Sequence, residues 1–434
     1  MKVDRSDDVA TSSAHRNEQA GATALGRRSF ISGIIGAGVA APIAAGVGAG
    51  PAFAAGPGEA QGATTSVKRS FPFEGEHQQG ILTPAQSAAT FVSFDVTAAG
   101  RSQLEELLRT ITERARFLTK GGAPATVGIT APPSDSGVLG PTVEADGLTV
   151  TVSIGSSLFD DRYGLAAKRP VRLRQMEDFA NDALDRATCD GDLLLQICAN
   201  HSDTVTHALR DIARATRGGM QVRWMRDGFV SPPRPSGTPR NLMGFKDGTA
   251  NPDVADSKEM SELVWAATDG SEPAWTAGGS YHVVRVIRML VEFWDRVNLR
   301  EQEGMIGRSR DVGAPLTGKR EFDEPDYASD PQADSIQFGA HIRLANPRTP
   351  QSASSRMLRR GYNYKSGVDV NGNLDMGLIF ATFNQDLERQ FVTVQKRLAD
   401  EALSDYISPV GGGYFFALPG ARTTKDWLGS SLLA

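Results

Sequence analysis

Cysteine is scarce: only Cys189 and Cys198 occur among 434 residues, too few for a disulfide-stapled scaffold. Histidine is almost as rare. His15, His77, His201, His207, His282 and His341 are the full set, and no two stand at the i, i+4 spacing of a helical zinc site. Neither sign of charge dominates, with 46 Lys+Arg against 51 Asp+Glu and a net charge of -5, so an electrostatic nucleic-acid binder is excluded. Beyond the N-terminal region no run approaches the ~20 apolar residues that cross a bilayer. What remains is ordinary: 40% hydrophobic, 22% charged and 7% aromatic residues, enough to build a core. The length predicts two or three domains.

The N-terminus reads as an address. Residues 1–24 are polar and small. Arg27-Arg28-Ser29-Phe30 follows, then an apolar stretch from Ile31 to Ala49 diluted by glycine and alanine, ending at Ala52-Phe53-Ala54. This is the n-, h- and c-region order of a signal peptide. The paired arginines mark the twin-arginine kind, which exports folded proteins; the alternative is a chance arginine pair before a membrane anchor. The expectation is a signal peptide over 1–54, export by the twin-arginine (Tat) machinery, and a mature chain from Ala55 that is periplasmic, envelope-associated or extracellular. Folding before export suits a chain that must first acquire a cofactor inside the cell.

The mature chain has two halves of similar grammar. In the first, Thr90–Val96 alternates like a strand, and Gln103–Leu118 carries Leu104, Leu107, Leu108 and Ile111 at helical spacing. A Gly/Pro-rich loop runs from Gly121 to Gly147. Leu148–Ile154 alternates cleanly, Asp192–Ala199 is a buried strand, Asp203–Thr216 a helix and Met220–Gly228 a strand. The order β-α-β-β-α-β is that of a split βαβ, or ferredoxin-like, unit. The second half repeats it less cleanly: strand Tyr281–Ile287, short helix Leu290–Asn298, strand Leu378–Phe383, helix Asp386–Leu398 and closing strand Tyr414–Leu418. Polar loops at 307–335 and 346–375 swell its middle, and loops of that length are usually functional. The expected fold is α+β, with two ferredoxin-like domains (55–229 and 230–434), each with its own antiparallel sheet.

Three segments carry chemistry. In Gly244-Phe245-Lys246-Asp247-Gly248-Thr249-Ala250-Asn251-Pro252 two glycines bracket an acid, which permits a tight turn and close approach to a ligand; by spacing alone Asp-Gly is simply a turn. In Phe338-Gly339-Ala340-His341-Ile342-Arg343-Leu344-Ala345-Asn346-Pro347-Arg348 the lone His341 is either a core histidine or a single axial ligand of haem iron. In Met357-Leu358-Arg359-Arg360-Gly361-Tyr362-Asn363-Tyr364 the arginines fit a solvated turn, an anion clamp or the electrophilic partner of a peroxide site.

In this order, behind a twin-arginine leader, the three segments resemble the dye-decolorising peroxidase family, specifically its exported deferrochelatase/peroxidase branch. Residues 75–81, 191–200 and 306–308 resemble the same branch, so the likeness spans essentially the whole mature chain. The resemblance implies two ferredoxin-like domains with one haem b per chain, held in the second. It implies His341 as proximal iron ligand, with a carboxylate on its other ring nitrogen; Glu292 and Asp295 are the candidates. Asp247 would shuttle a proton between the oxygens of hydrogen peroxide and Arg359 would stabilise the departing charge, leading to a ferryl intermediate. Gly248, Thr249, Ala250, Arg308, Asn346, Pro347, Arg348 and Arg359 would contact the cofactor, and Phe380 or Phe383 would pack near the open iron face. Some relatives carry Asn where Gly361 stands, which makes Asn363 the substitute third polar group.

The implied activity is oxidation of dyes, phenols or a protein partner's reduced centre at the expense of hydrogen peroxide. The alternative is a haem-handling protein that releases iron from haem. A non-catalytic ligand binder of the same superfamily is disfavoured by the intact Asp247, His341 and Arg359. Bulky reductants would be oxidised at the surface through Tyr362, Tyr364, Tyr414 and Trp275, and a homo-oligomer is left open. Cys198 lies in an apolar strand and is expected to be a buried thiol rather than half of a disulfide. His77 with Glu74 and Glu76 is expected to be structural, and the acidic segment Glu321–Asp334 a solvated loop.

Overall fold

The computed structural model describes residues 70–434; the arginine pair, apolar stretch and cleavage pattern of the leader lie outside them. The alternating segments of the first half become β1 (Ala88–Val96), β2 (Thr149–Gly155), β3 (Leu193–Ala199) and β4 (Met220–Phe229). They pair antiparallel in the order β2-β3-β1-β4. Helices α1 (Arg101–Lys120) and α2 (Ser202–Ala215) cover one face. α1 buries Leu104, Leu107, Leu108, Ile111, Ala115 and Leu118, the i, i+3, i+4 stripe that made it legible.

The second half adds α3 (Ser257–Leu263), β5 (Ser280–Met289), α4 (Val291–Trp294), α5 (Leu299–Ile306), α6 (His341–Ala345), α7 (Pro350–Ala353), β6 (Leu358–Arg359), β7 (Tyr362–Val368), β8 (Leu374–Asn384), α8 (Thr393–Arg397) and β9 (Ile407–Ala417). β5 lies between β9 and β8, while β6 and β7 follow one another along the other edge of β8.

The expectation of two separate sheets needs correction. β2 pairs with β9 through Ser153↔Ala417, Ile154↔Phe416 and Gly155↔Phe415, and β4 meets β7 at Phe229↔Asn363. Together with the β5–β8 pairing these contacts close the strands into one barrel. The reason is burial on both faces: Phe91, Leu194 and Trp224 from the first half need a partner on the side away from their helices. They find it in Val284, Tyr362, Ile379 and Phe415 from the second.

Three local expectations also change. The helix expected over Leu290–Asn298 stops at Trp294, and α5 starts afresh where the Asn298 side chain accepts the Glu301 N–H at 3.0 Å, a helix N-cap. The polar loop 346–375 contains α7, β6 and β7. The helix over Asp386–Leu398 opens with a π-type turn over Glu388–Val392 before α8. Cys189 and Cys198 are separate buried thiols. Among the described residues no helix is long and apolar enough to cross a membrane.

Candidate functional site

Alternation sorts the second-half strands into two faces. Val284, Val286, Tyr362, Tyr364, Ile379 and Ala381 point into the barrel. Arg285, Ile287, Met289, Arg359, Leu378 and Phe380 point outward and floor a cavity. The segment around Asp247, α6, the 308–327 loop and the stretch from Val394 to Pro409 contribute to its wall, so Asp247, His341 and Arg359 line one space.

His341 opens α6, and its Nδ1 lies 2.7 Å from Glu401 Oε2. Burial pulls the imidazole pKa down, but the Glu401 charge and hydrogen bond outweigh it and raise the value above normal. With Nδ1 engaged, Nε2 is the nitrogen left for a ligand role. This corrects the carboxylate assignment. Glu292 accepts the Leu374 N–H and Asp295 caps the end of α4; the acid that reaches His341 is Glu401, 60 residues onward, just past α8, which packs on α6. Nothing in its sequence neighbourhood signalled it.

Asp247 and Arg359 form an ion pair, Oδ1 to Nη1, at 3.2 Å, each about a quarter exposed. Gly244 and Gly248, with φ of 87° and 105°, make the turns on either side of the acid, the conformation that glycine allows without strain. Asn251 couples the two segments. Its Nδ2 donates to the Arg359 carbonyl at 2.8 Å and its Oδ1 accepts the Arg359 N–H at 3.2 Å. Asn251 belongs to the Asp247 motif, which by itself implies no role for it; an amide four residues after the acid is the available signal.

Thr249, Ala250, Arg308, Asn346 and Arg348 line the cavity, whereas Gly248 and Pro347 sit between lining residues without facing it. Arg308 is buried and donates to the Gly313 and Glu321 carbonyls at 2.7 and 2.8 Å; burial, then repulsion from Arg348, lower its pKa. Asn346 accepts the Arg348 N–H at 3.1 Å and so fixes the turn that presents Arg348. Arg348 also pairs with Glu324 at 3.1 Å. Phe380 lines the cavity, whereas Phe383 is in the barrel, stacked on His282. Asn363 is turned away and donates to the Arg240 carbonyl at 3.0 Å.

Tyr362, Tyr364, Tyr414 and Trp275 are all buried and none lines the cavity. Tyr327, inside the acidic segment, does line it, with the Arg343 guanidinium over its ring at 4.8 Å. His77 stacks on Trp265 at 3.5 Å and bonds the Gly278 carbonyl at 2.8 Å, a structural role. Among the described residues no cluster of three or more His, Cys, Asp or Glu could hold a bare metal ion. The donor set here is different: one imidazole nitrogen, apolar walls from Met243, Phe245, Ile287, Leu378 and Phe380, and arginines at 308 and 348. That set fits an iron porphyrin with carboxylate side chains.

Comparison with known proteins agrees with this geometry. Residues 78–230 match the family model for the Dyp-type peroxidase N-terminal domain, and residues 238–422 match the C-terminal one. The chain is 56% identical over 367 residues to a protein of Escherichia coli O157:H7 named deferrochelatase, covering 83% of this chain and 87% of that one. Among solved structures it is similar to a DyP-type peroxidase from Cellulomonas bogoriensis, with a TM-score of 0.76 and 37% identity over 84% of this chain and 98% of the other. Ferric DtpA from Streptomyces lividans is similar at the same TM-score and identity, over 84% and 97%. With both halves matched and the acid, histidine and arginine of the motifs facing one cavity, the chain belongs to the Dyp-type peroxidase family.

Proposed function

We propose that the protein is a haem b peroxidase, with one haem per chain, that reduces hydrogen peroxide and oxidises dyes, phenols or a partner's reduced centre. The observation that carries this reading is the meeting of two pairs in one cavity: His341 with Glu401, and Asp247 with Arg359. When bound, the haem would supply the redox-active iron. His341 Nε2 would hold that iron, while Glu401 fixes the Nδ1–H and makes the imidazole a stronger donor. Arg308 and Arg348 would take the cofactor's carboxylates.

Asp247 would accept a proton from one peroxide oxygen and deliver it to the other, which leaves as water. The Arg359 guanidinium places fixed positive charge where negative charge grows as the O–O bond breaks. Phe380 and Leu378 keep bulk water from the floor of the cavity. The external reductant supplies two electrons per peroxide. A visible spectrum before and after one equivalent of peroxide tests this. A Soret band that shifts with peroxide and returns with a phenolic reductant is expected; a purified protein that takes up no haem, or a band blind to peroxide, refutes it.

A second reading, removal of iron from haem with the porphyrin left intact, is favoured by the 56% identity to a protein named deferrochelatase. Fluorescence of iron-free porphyrin on incubation with haem distinguishes it. The reading includes the twin-arginine leader over 1–54, export beyond the cytoplasm, and halves at 55–229 and 230–434. Each half supplies four strand positions in the split βαβ order, β4-β1-β3-β2 and β9-β5-β8-β7, which supports a ferredoxin-like origin for both.

A further inference from the structure

The loop that carries Asp247 is held from behind by a carboxylate that does not line the cavity. Glu321 is 8% exposed. Its Oε1 accepts the Thr238 N–H at 2.9 Å, the Thr238 hydroxyl at 2.5 Å and the Thr249 hydroxyl at 3.2 Å, and Oε2 lies 3.4 Å from Lys246 Nζ. Lys246 immediately precedes Asp247, and Thr249 follows it by two residues. Thr238 adjoins Pro239, whose carbonyl accepts the Asp247 N–H at 3.0 Å. Three points around the acid therefore converge on one buried carboxylate.

The surroundings are shaped for this convergence. A Cβ at Gly237 would stand 1.9 Å from Glu321 Oε2, and one at Gly313 would stand 2.5 Å from Lys246 Cγ. The Lys246 ammonium also donates to the Ser236 and Thr238 carbonyls, so both members of the pair are satisfied. A buried ion pair is poor evidence of stability, because apolar side chains of the same volume often do as well. What the pair does supply is a fixed path for the backbone on each side of Asp247.

We propose that Glu321 is a positioning residue for the peroxide reaction: through Thr238, Lys246 and Thr249 it sets the Asp247 carboxylate opposite Arg359 without itself touching cofactor or substrate. This rests on the reading of Asp247 and Arg359 as the peroxide pair. A proton shuttle depends on placement, and misplacement by about 1 Å can cost about 100-fold in rate.

The test uses the haem-loaded full-length chain with Glu321→Gln and Thr249→Val. Two rates are read by stopped-flow absorbance: reaction with peroxide, and binding of cyanide, which enters as HCN and needs a base to take its proton. Glu321→Gln should slow both by about 10- to 100-fold, with the Soret position and haem loss within about twofold of wild type. Thr249→Val should slow both less. A Glu321→Gln protein with both rates at wild type overturns the proposal, as does a rate loss that only tracks haem loss, which would mark a merely structural role. Should Glu321→Gln fail to fold, Thr249→Val and Lys246→Met decide by the same two rates. Failure of the underlying reading shows separately, as wild-type rates in Asp247→Ala.

Discussion

Replacing Glu401 should loosen the cofactor without removing its ligand. The carboxylate is 4% exposed and lies 2.7 Å from His341 Nδ1. A hydrogen bond to a charged group is worth about 1.5–3 kcal/mol net, and partners of this kind typically contribute about 10- to 100-fold in metal affinity. Glu401→Gln keeps an acceptor of similar shape but loses the charge, so haem should bind about 10-fold more weakly. Glu401→Ala removes the acceptor altogether and leaves Nδ1–H unpaired near the protein interior, so the loss should approach about 100-fold. The assay is transfer of haem to an excess of an apo-globin acceptor, followed at the Soret band, together with equilibrium titration of the haem-free chain. His341→Ala serves as the limit and should lose most of its haem. If both Glu401 variants hold haem within about twofold of wild type, the carboxylate does not tune the ligand and the account of the His341 side of the cavity fails.

Asp247→Ala should slow the spectral response to peroxide by about 100- to 10,000-fold, the usual range for acid–base assistance; Arg359→Leu should cost about 2.7–4 kcal/mol. Both should retain haem, and wild-type rates in both by rapid mixing would leave the pair without a role. Asn251→Ala removes the two bonds to the Arg359 main chain and should slow the same step by about 10- to 100-fold, with Arg359 still present; an unchanged rate by rapid mixing shows that strand pairing alone places the arginine. Burial pushes the His282 pKa down to about 3 from 6.5, so its neutral form stabilises the fold fully above pH 6.5, and that contribution is lost as pH falls toward 3, at about 1.4 kcal/mol per pH unit. Urea unfolding at several pH values should show His282→Asn with a shallower acid dependence than wild type, and identical slopes would refute the assignment.

Regular segments could be read from the sequence where one physical pattern dominated. The Val150, Val152, Ile154 alternation and the Leu104–Leu118 stripe each state a period, and β2 and α1 appear within two residues of the expected ends. β7 was missed because Tyr362–Val368 turns from buried tyrosines to an exposed, polar end, leaving too few alternating apolar residues to set a period. Asp247, His341 and Arg359 became visible only through their motifs: singly, an Asp-Gly is a turn and a lone histidine a core residue. Glu401 had no such help. Its partner His341 lies 60 residues away, so only tertiary contact reveals it.

Strand parity explains why Tyr362 and Tyr364 stand apart from the cavity and why Arg359 reaches it. From Leu358 to Tyr364 the chain alternates beside β8: Leu358 pairs with Phe383 and Tyr362 with Ile379, toward the barrel, whereas Arg359 pairs with Thr382 and Asn363 with Leu378 on the other face, where Arg359 and Leu378 line the cavity. Tyr362 and Tyr364 are therefore committed to the barrel core by the same register that delivers Arg359 to Asp247. Gly361, on the cavity side of that alternation, places no side chain beside Phe380, and a Cβ there would already meet Leu378 Cδ1 at 3.4 Å. That position thus carries no side chain, while Asn251 approaches Arg359 from the Asp247 segment. A one-residue slip of this strand would exchange the two sets of side chains. Closing the barrel pins that register, because Phe91 of the first half packs edge-on against Tyr362 at 5.9 Å. The first half thereby fixes which arginine faces the cavity, although its own strands supply none of the residues that meet there.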